Sequence, residues 1–117
     1  MPLIDLPAAW CRDVVKVLET GTTGREIRWT IDSAQDYESD FCFAFQNEVY
    51  PAIAAYLCGH QPRGCPKRMD KPPGETYDFF FTFKGKQTYG KVLLRPDHKN
   101  IVVFSAHLPR FPRLSCE

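Results

Sequence analysis

Three runs rich in β-branched and aromatic residues, Tyr77 to Lys84, Gln87 to Arg95 and Ile101 to His107, are separated by Gly85-Lys86 and Pro96-Asp97-His98-Lys99-Asn100. Short β-prone runs with turn formers between them predict a three-strand antiparallel meander. Pro109 cannot continue a central strand and ends the third run. Because strand side chains alternate in direction, Tyr89, Lys91, Leu93 and Arg95 share one face, while Thr88, Gly90, Val92 and Leu94 share the other. One face is apolar or small and suits a core. The other is largely basic and phenolic, and an antiparallel sheet can leave that face to solvent or a ligand.

The rest of the chain reads as helix and loop. From Pro7 to Thr20 the stripe Leu6, Trp10, Val14, Val17 and Leu18 predicts a first helix, opened by Pro7 and stopped at Gly21. Ile27-Arg28-Trp29-Thr30 is a short strand or an extended connector, and Ser33 with Asp36 resembles a capping box. Phe41, Phe45, Val49, Ile53 and Tyr56 fall on one stripe between Tyr37 and Cys58, which predicts a long second helix bent at Pro51. His60 to Thr76 holds four prolines with Arg63, Lys67, Arg68 and Lys71, a basic loop of the kind that carries function. The expected architecture is one α+β domain over residues 1–117: two amino-terminal helices, the second long and bent, packed on a small antiparallel sheet of three to four strands.

Charge is divided unevenly along the chain. Residues 1–57 hold four Lys or Arg against nine Asp or Glu, a net of −5, and residues 58–117 hold eleven against five, a net of +6. The near-neutral total of +1 conceals this polarity, which suggests a polyanion such as RNA on the basic side and a basic partner on the other. The plainer reading is that the lysines only solubilise a hairpin and its edges.

With 117 residues and 44% hydrophobic content the chain can bury one core unaided. No apolar stretch approaches the roughly 20 residues of a membrane span, and the start Met1-Pro2-Leu3-Ile4-Asp5 lacks a basic region followed by an apolar segment. No membrane association and a cytoplasmic location are therefore expected. The five cysteines, Cys11, Cys42, Cys58, Cys65 and Cys116, are odd in number; Cys11 and Cys42 lie in apolar helical patterns, so all are expected to be reduced. Cys58, His60 and Cys65 offer three zinc-type donors within eight residues. No fourth ligand accompanies them, so neither metal nor cofactor is expected.

Cleaving RNA through its 2′-hydroxyl needs a base for that hydroxyl, an acid for the departing 5′-oxygen, and cations that stabilise the phosphorane. His107, at the end of the third run, has the one side chain that titrates near neutrality when unperturbed. Arg95 and Lys91 can hold phosphate, and Tyr89 can orient the scissile group or stack on a base. Lys67, from the basic loop, can reach the same face. Candidate catalytic residues are thus Lys67, Tyr89, Arg95 and His107, with Arg63, Arg68, Lys71, Lys86 and Lys91 as candidate RNA-binding residues. Each alone has an ordinary explanation: His107 as a surface residue at a strand end, Tyr89 as a cross-strand packing partner. His98, in a turn beside Asp97, reads as a turn residue.

Several fragments resemble the RelE-like bacterial toxins, most nearly the MqsR-type messenger-RNA interferases. They are Val14-Val15-Lys16-Val17-Leu18-Glu19-Thr20-Gly21, Lys67-Arg68-Met69, Tyr77-Asp78-Phe79-Phe80, Gln87-Thr88-Tyr89-Gly90-Lys91-Val92 and Ile101-Val102-Val103-Phe104-Ser105. The order of elements is similar as well. The resemblance implies a toxin of a toxin-antitoxin pair, an endoribonuclease acting on free or ribosome-bound messenger RNA and neutralised by an antitoxin protein. It implies phosphate binding or proton transfer for Lys67 and an active-site role for Tyr89. Two positions depart from the family pattern. Asp78 stands where a neutral amide is expected and would repel phosphate unless it orients other groups; His107 stands where a late-strand Lys or Arg is common, and is a chemically competent replacement. The competing class is a non-catalytic module that binds RNA or an acidic protein with its basic sheet face.

Overall fold

The computed structural model describes residues 3–69 and 71–117; Met1 and Pro2, included in the reading of the amino terminus, and Asp70 of the basic loop lie outside them. Strands β1 (Ile4–Asp5), β2 (Ile27–Trp29), β3 (Arg63–Lys67), β4 (Glu75–Phe83), β5 (Lys86–Leu94) and β6 (Ile101–His107) form one sheet in the order β1-β3-β4-β5-β6-β2. Its pairings are antiparallel except for β2, which lies parallel to β6 at one edge. Three helices accompany it: α1 (Ala8–Thr20), α2 (Ile31–Asp40) and α3 (Tyr50–Leu57). The expected architecture of two helices on a three-to-four-stranded antiparallel sheet is therefore incorrect: the described residues form three α-helices, a short 3-10 turn at Gln46–Glu48 and a six-stranded mixed sheet.

The meander of β4, β5 and β6 forms the centre of that sheet. Lys84 and Gly85 turn β4 into β5 with φ of 51° and 75°, the two positive values that suit the right-handed twist of a tight hairpin. Phe79, Phe81 and Phe83 of β4, Val92 and Leu94 of β5, and Ile101, Val103 and Ala106 of β6 point to the helices. There they meet Trp10, Val14 and Leu18 of α1, Tyr37 of α2 and Ile53 of α3. Trp10 packs edge-on against Tyr77 at 4.9 Å, and Tyr56 stacks on Phe79 at 5.6 Å. Gly90 makes room for this layer, since a Cβ there would come within 2.9 Å of Phe81.

The long bent helix is replaced by two short ones for identifiable reasons. Phe41 leaves helical geometry (φ −133°, ψ 54°) and packs its ring 5.0 Å from Phe83 and 5.5 Å from Tyr37. Aromatic burial outweighs continuation of a helix whose following residues, Cys42 and Phe43, are exposed. Pro51 falls in the first turn of α3, where its missing N–H breaks no helical bond, so it starts a helix instead of bending one. The cap of α2 is Thr30, whose hydroxyl accepts from the Ser33 amide at 3.0 Å, and not Ser33 itself. The basic loop is also partly strand: β3 pairs with β4 as Cys65↔Asp78 and Lys67↔Thr76. Among the described residues no helix is long and apolar enough to cross a membrane.

Cys65 and Cys116 form a disulfide across 51 residues, with their Cα atoms 5.9 Å apart, within the usual span for such a bond. This corrects the expectation of five reduced cysteines. It also removes one thiolate from the Cys58, His60 and Cys65 donor set. Cys11 is buried in α1, whereas Cys42 lies exposed beyond α2 and outside any helix.

Phe79 is fully buried and Phe43 is 99% exposed. Phe79→Ala is expected to cost about 3–5 kcal/mol of unfolding free energy and Phe43→Ala less than about 0.5 kcal/mol, as read from urea unfolding midpoints.

Candidate functional site

Opposite the helices, the register of the sheet collects polar side chains. Cys65 and Lys67 of β3, Thr76, Asp78 and Phe80 of β4, Tyr89 and Lys91 of β5, and Ser105 and His107 of β6 share this face by pairing and alternation. β6 carries an extra residue, Phe104, between the pairs Lys91↔Ser105 and Val92↔Val103. Without that bulge, one strand could not present Ser105 and His107 here and also send Ile101 and Val103 into the core.

Asp78 is the centre of the face. It is 1% exposed, and burying an unpaired carboxylate costs far more than one hydrogen bond returns. Two diagonal neighbours compensate its charge. From β5 the Tyr89 hydroxyl donates to Asp78 Oδ2 at 2.7 Å, and from β3 the Lys67 ammonium lies 3.5 Å from the same oxygen. Asp78 Oδ1 has no hydrogen-bond partner among the described residues. Burial first, then the hydrogen bond to Asp78 and its charge, push the Tyr89 phenol far above its ordinary value. Tyr89 therefore keeps its proton and positions its neighbours; it is not a base. Lys67 also donates to Ser115 Oγ. An ammonium has three N–H groups, so one remains for a ligand.

His107 is buried beside Tyr89, their ring centroids 5.3 Å apart. Its Nδ1 lies 2.8 Å from the Leu108 carbonyl oxygen, which can only accept, so Nδ1 carries a proton. In the neutral ring Nε2 is then the free base. Lys67, Asp78, Phe80, Tyr89 and His107 line a cleft of about 470 Å³. Its other wall is the carboxyl-terminal tail, which contributes Pro109, Arg110, Phe111, Arg113 and Ser115.

Of the four candidate catalytic residues, the cleft brings together Lys67, Tyr89 and His107 and leaves out Arg95. Arg95 follows β5 and lies six residues from Tyr89, about 20 Å of extended chain. Sharing a face did not make them neighbours. The candidate RNA-binding residues lie outside the cleft lining too. Arg63 donates to the Leu3 carbonyl at 3.0 Å and pairs with Asp5 at 3.5 Å on the β1 edge. Arg68 and Lys71 are exposed between β3 and β4, and Lys86 is exposed at the hairpin. Lys91 lies over the Phe104 ring at 5.6 Å. His98, with φ of 60°, is a turn residue as read, and its Nδ1 is 2.7 Å from Asp13 of α1.

The sequence reading missed Arg110, Phe111, Arg113 and Ser115. The alternation of arginine and phenylalanine after Pro109 is the signal that could have drawn attention to them. Arg110 is held 3.3 Å from Asp36 of α2, and Arg113 makes no ion pair among the described residues. Comparison of the chain with protein-family models, with curated proteins and with solved structures found no match.

Tyr89→Phe removes the hydroxyl donor from Asp78 and is expected to cost about 1–3 kcal/mol of stability in urea unfolding. Burial is the main cause that raises Tyr37 and Tyr77 to about 12, and Tyr89 is raised in the same direction. These phenols hold protons in the folded state that the unfolded chain releases near pH 10. Their stabilising contribution is thus complete below about pH 10 and lost as pH climbs through 12. Unfolding midpoints measured from pH 9 upward should fall over that window, and fall less in Tyr89→Phe.

Proposed function

We propose that the protein is a metal-independent endoribonuclease of the toxin kind, which cleaves messenger RNA by attack of a 2′-hydroxyl on the adjacent phosphodiester. The observation that carries this reading is the convergence of Lys67, Tyr89 and His107, from three different strands, on one cleft. Lys67, Arg110 and Arg113 line that cleft; Asp78 and Asp36 pair with the first two, and the Arg113 guanidinium supplies the surplus charge that favours phosphate.

The arrangement supports these roles. Nε2 of His107 takes the proton of the 2′-hydroxyl as O2′ bonds to phosphorus. The P–O5′ bond breaks, and the departing oxygen takes a proton from the Lys67 ammonium, which also stabilises the phosphorane charge. The imidazolium then returns a proton through solvent, which leaves a 2′,3′-cyclic phosphate and a 5′-hydroxyl. Tyr89 and Asp78 hold Lys67 in place and do not exchange protons with substrate. Asp78, the departure from the family pattern, is thereby an orienting residue.

The resemblance to RelE-like toxins of the MqsR type extends the reading to a bacterial cytoplasmic setting, an antitoxin protein as the neutralising partner, and free or ribosome-bound messenger RNA as substrate. A non-catalytic RNA-binding module is the second reading. It is favoured by the prior engagement of Lys67 with Asp78 and Ser115.

Cleavage of a mixed-sequence RNA by purified variants separates the two. His107→Ala and Lys67→Ala are expected to lose about 10²–10⁴ in rate, whereas Arg95→Ala keeps the parent rate; Lys67→Ala also leaves the buried Asp78 carboxylate without its cation and should lower the unfolding temperature, so rates are compared below that transition. RNA cut by the parent and by His107→Ala at equal rates overturns the enzymatic roles; RNA retained by all forms and cut by none establishes the module.

A further inference from the structure

The carboxyl-terminal tail is no ordinary chain end. It leaves β6 at His107, and at Leu108 its amide donates to Asp40 of α2 at 2.9 Å. Arg110 pairs with Asp36 of the same helix at 3.3 Å, and Leu114 is buried. The tail then closes onto β3, where Ser115 accepts from Lys67 and Cys116 is bonded to Cys65. Cys65 and Lys67 stand two residues apart on one face of β3, so the disulfide fixes the tail beside the cationic end of the cleft.

Between these anchors the tail exposes a different chemistry. Phe111 lines the cleft yet is 75% exposed, a large apolar ring with no place in the core. Arg113 lines the same cleft without an ion pair among the described residues. Facing them are the rings of Phe80 and Tyr89, whose centroids are 6.2 Å apart. An exposed aromatic, an unpaired guanidinium and an aromatic floor around a narrow space match a splayed nucleotide: the rings take a base and the guanidinium takes a flanking phosphate.

We propose that Phe111 and Arg113 form the nucleotide-binding wall of the cleft, and that the Cys65–Cys116 disulfide keeps this wall in place, so that retention of single-stranded RNA depends on the redox state of the protein. This rests on the nuclease reading of the same cleft. The redox step balances with a dithiol as reductant. The Sγ–Sγ bond of Cys65 and Cys116 takes two electrons and two protons and opens to two thiols, while the dithiol closes to its own disulfide. The tail is then held to β3 by the Lys67–Ser115 hydrogen bond without the covalent bond, and Phe111 and Arg113 lose their fixed place beside Phe80 and Tyr89 in the cleft.

The test uses a fluorescein-labelled single-stranded RNA about ten nucleotides long, with the His107→Ala protein as the uncleaving parent and anisotropy as the readout. Phe111→Ala is expected to weaken binding about tenfold to a hundredfold, the range for loss of one base stack. Arg113→Ala should weaken it and lower the salt slope by about 0.7, as for one phosphate contact on a single strand. Treatment with dithiothreitol, or Cys116→Ser in its place, should weaken the parent similarly but leave the Phe111→Ala/Arg113→Ala double variant unchanged. Both side chains are exposed, so folding of these variants, checked by circular dichroism, should match the parent. Tail variants that bind within twofold of a binding parent, or affinity indifferent to reduction and to Cys116→Ser, overturn the proposal alone. Wild-type protein that neither cuts nor retains RNA, free or on ribosomes, overturns the nuclease reading beneath it.

Discussion

A buried carboxylate between two diagonal neighbours organises the polar face of this sheet. Asp78 sits on β4, 1% exposed, with Lys67 reaching it from β3 and Tyr89 from β5. Its burial is tolerable only because an ammonium and a phenol share its Oδ2. The same contacts fix two side chains that would otherwise be free at strand positions. Lys67 is long and flexible, and an ion pair to a buried partner removes much of its rotamer freedom. Tyr89, whose proton is held by burial and by Asp78, becomes a rigid strut beside His107. A residue that would repel phosphate if it stood alone instead supplies the support for the cation that would meet it.

The sheet serves two purposes by separating them onto its faces. Toward the helices it presents aromatic and branched apolar side chains; away from them, a cleft with lysine, histidine and arginine. The bulge at Phe104 and the disulfide at Cys65 are the two irregular features that complete the polar side, one by re-aiming β6 and the other by returning the tail. The acidic surplus of residues 1–57 has a related place. Its α2 carboxylates Asp36 and Asp40 hold the start of that tail.

What the sequence made legible was local. The hairpin of β4 and β5 could be read because Lys84-Gly85 is a turn with its own chemistry and the flanking runs are β-branched and aromatic. Helix α1 could be read because its stripe is long and its ends are marked. The break after α2 could not, since Phe41 leaves the helix for contacts with Phe83, a residue 42 positions away. Strand β3 was hidden by Pro66, which is tolerable there because β1 pairs with β3 only at Arg63 and Gly64. In the site, alternation assigned faces correctly but carried no distance along the strand, so Arg95 was grouped with Tyr89. The Cys65–Cys116 bond closes 51 residues and leaves no trace in local pattern, and without it the tail had no reason to be placed at the cleft.

The central claim is that this cleft cuts RNA by acid-base chemistry of its own side chains. Purified protein incubated with a mixed-sequence RNA, with and without EDTA, and followed by analysis of fragment end groups, tests it most directly. The account predicts EDTA-resistant fragments that carry 2′,3′-cyclic phosphate and 5′-hydroxyl ends. Cleavage abolished by EDTA, fragments with 3′-hydroxyl ends, or RNA left intact both free and on ribosomes would contradict it.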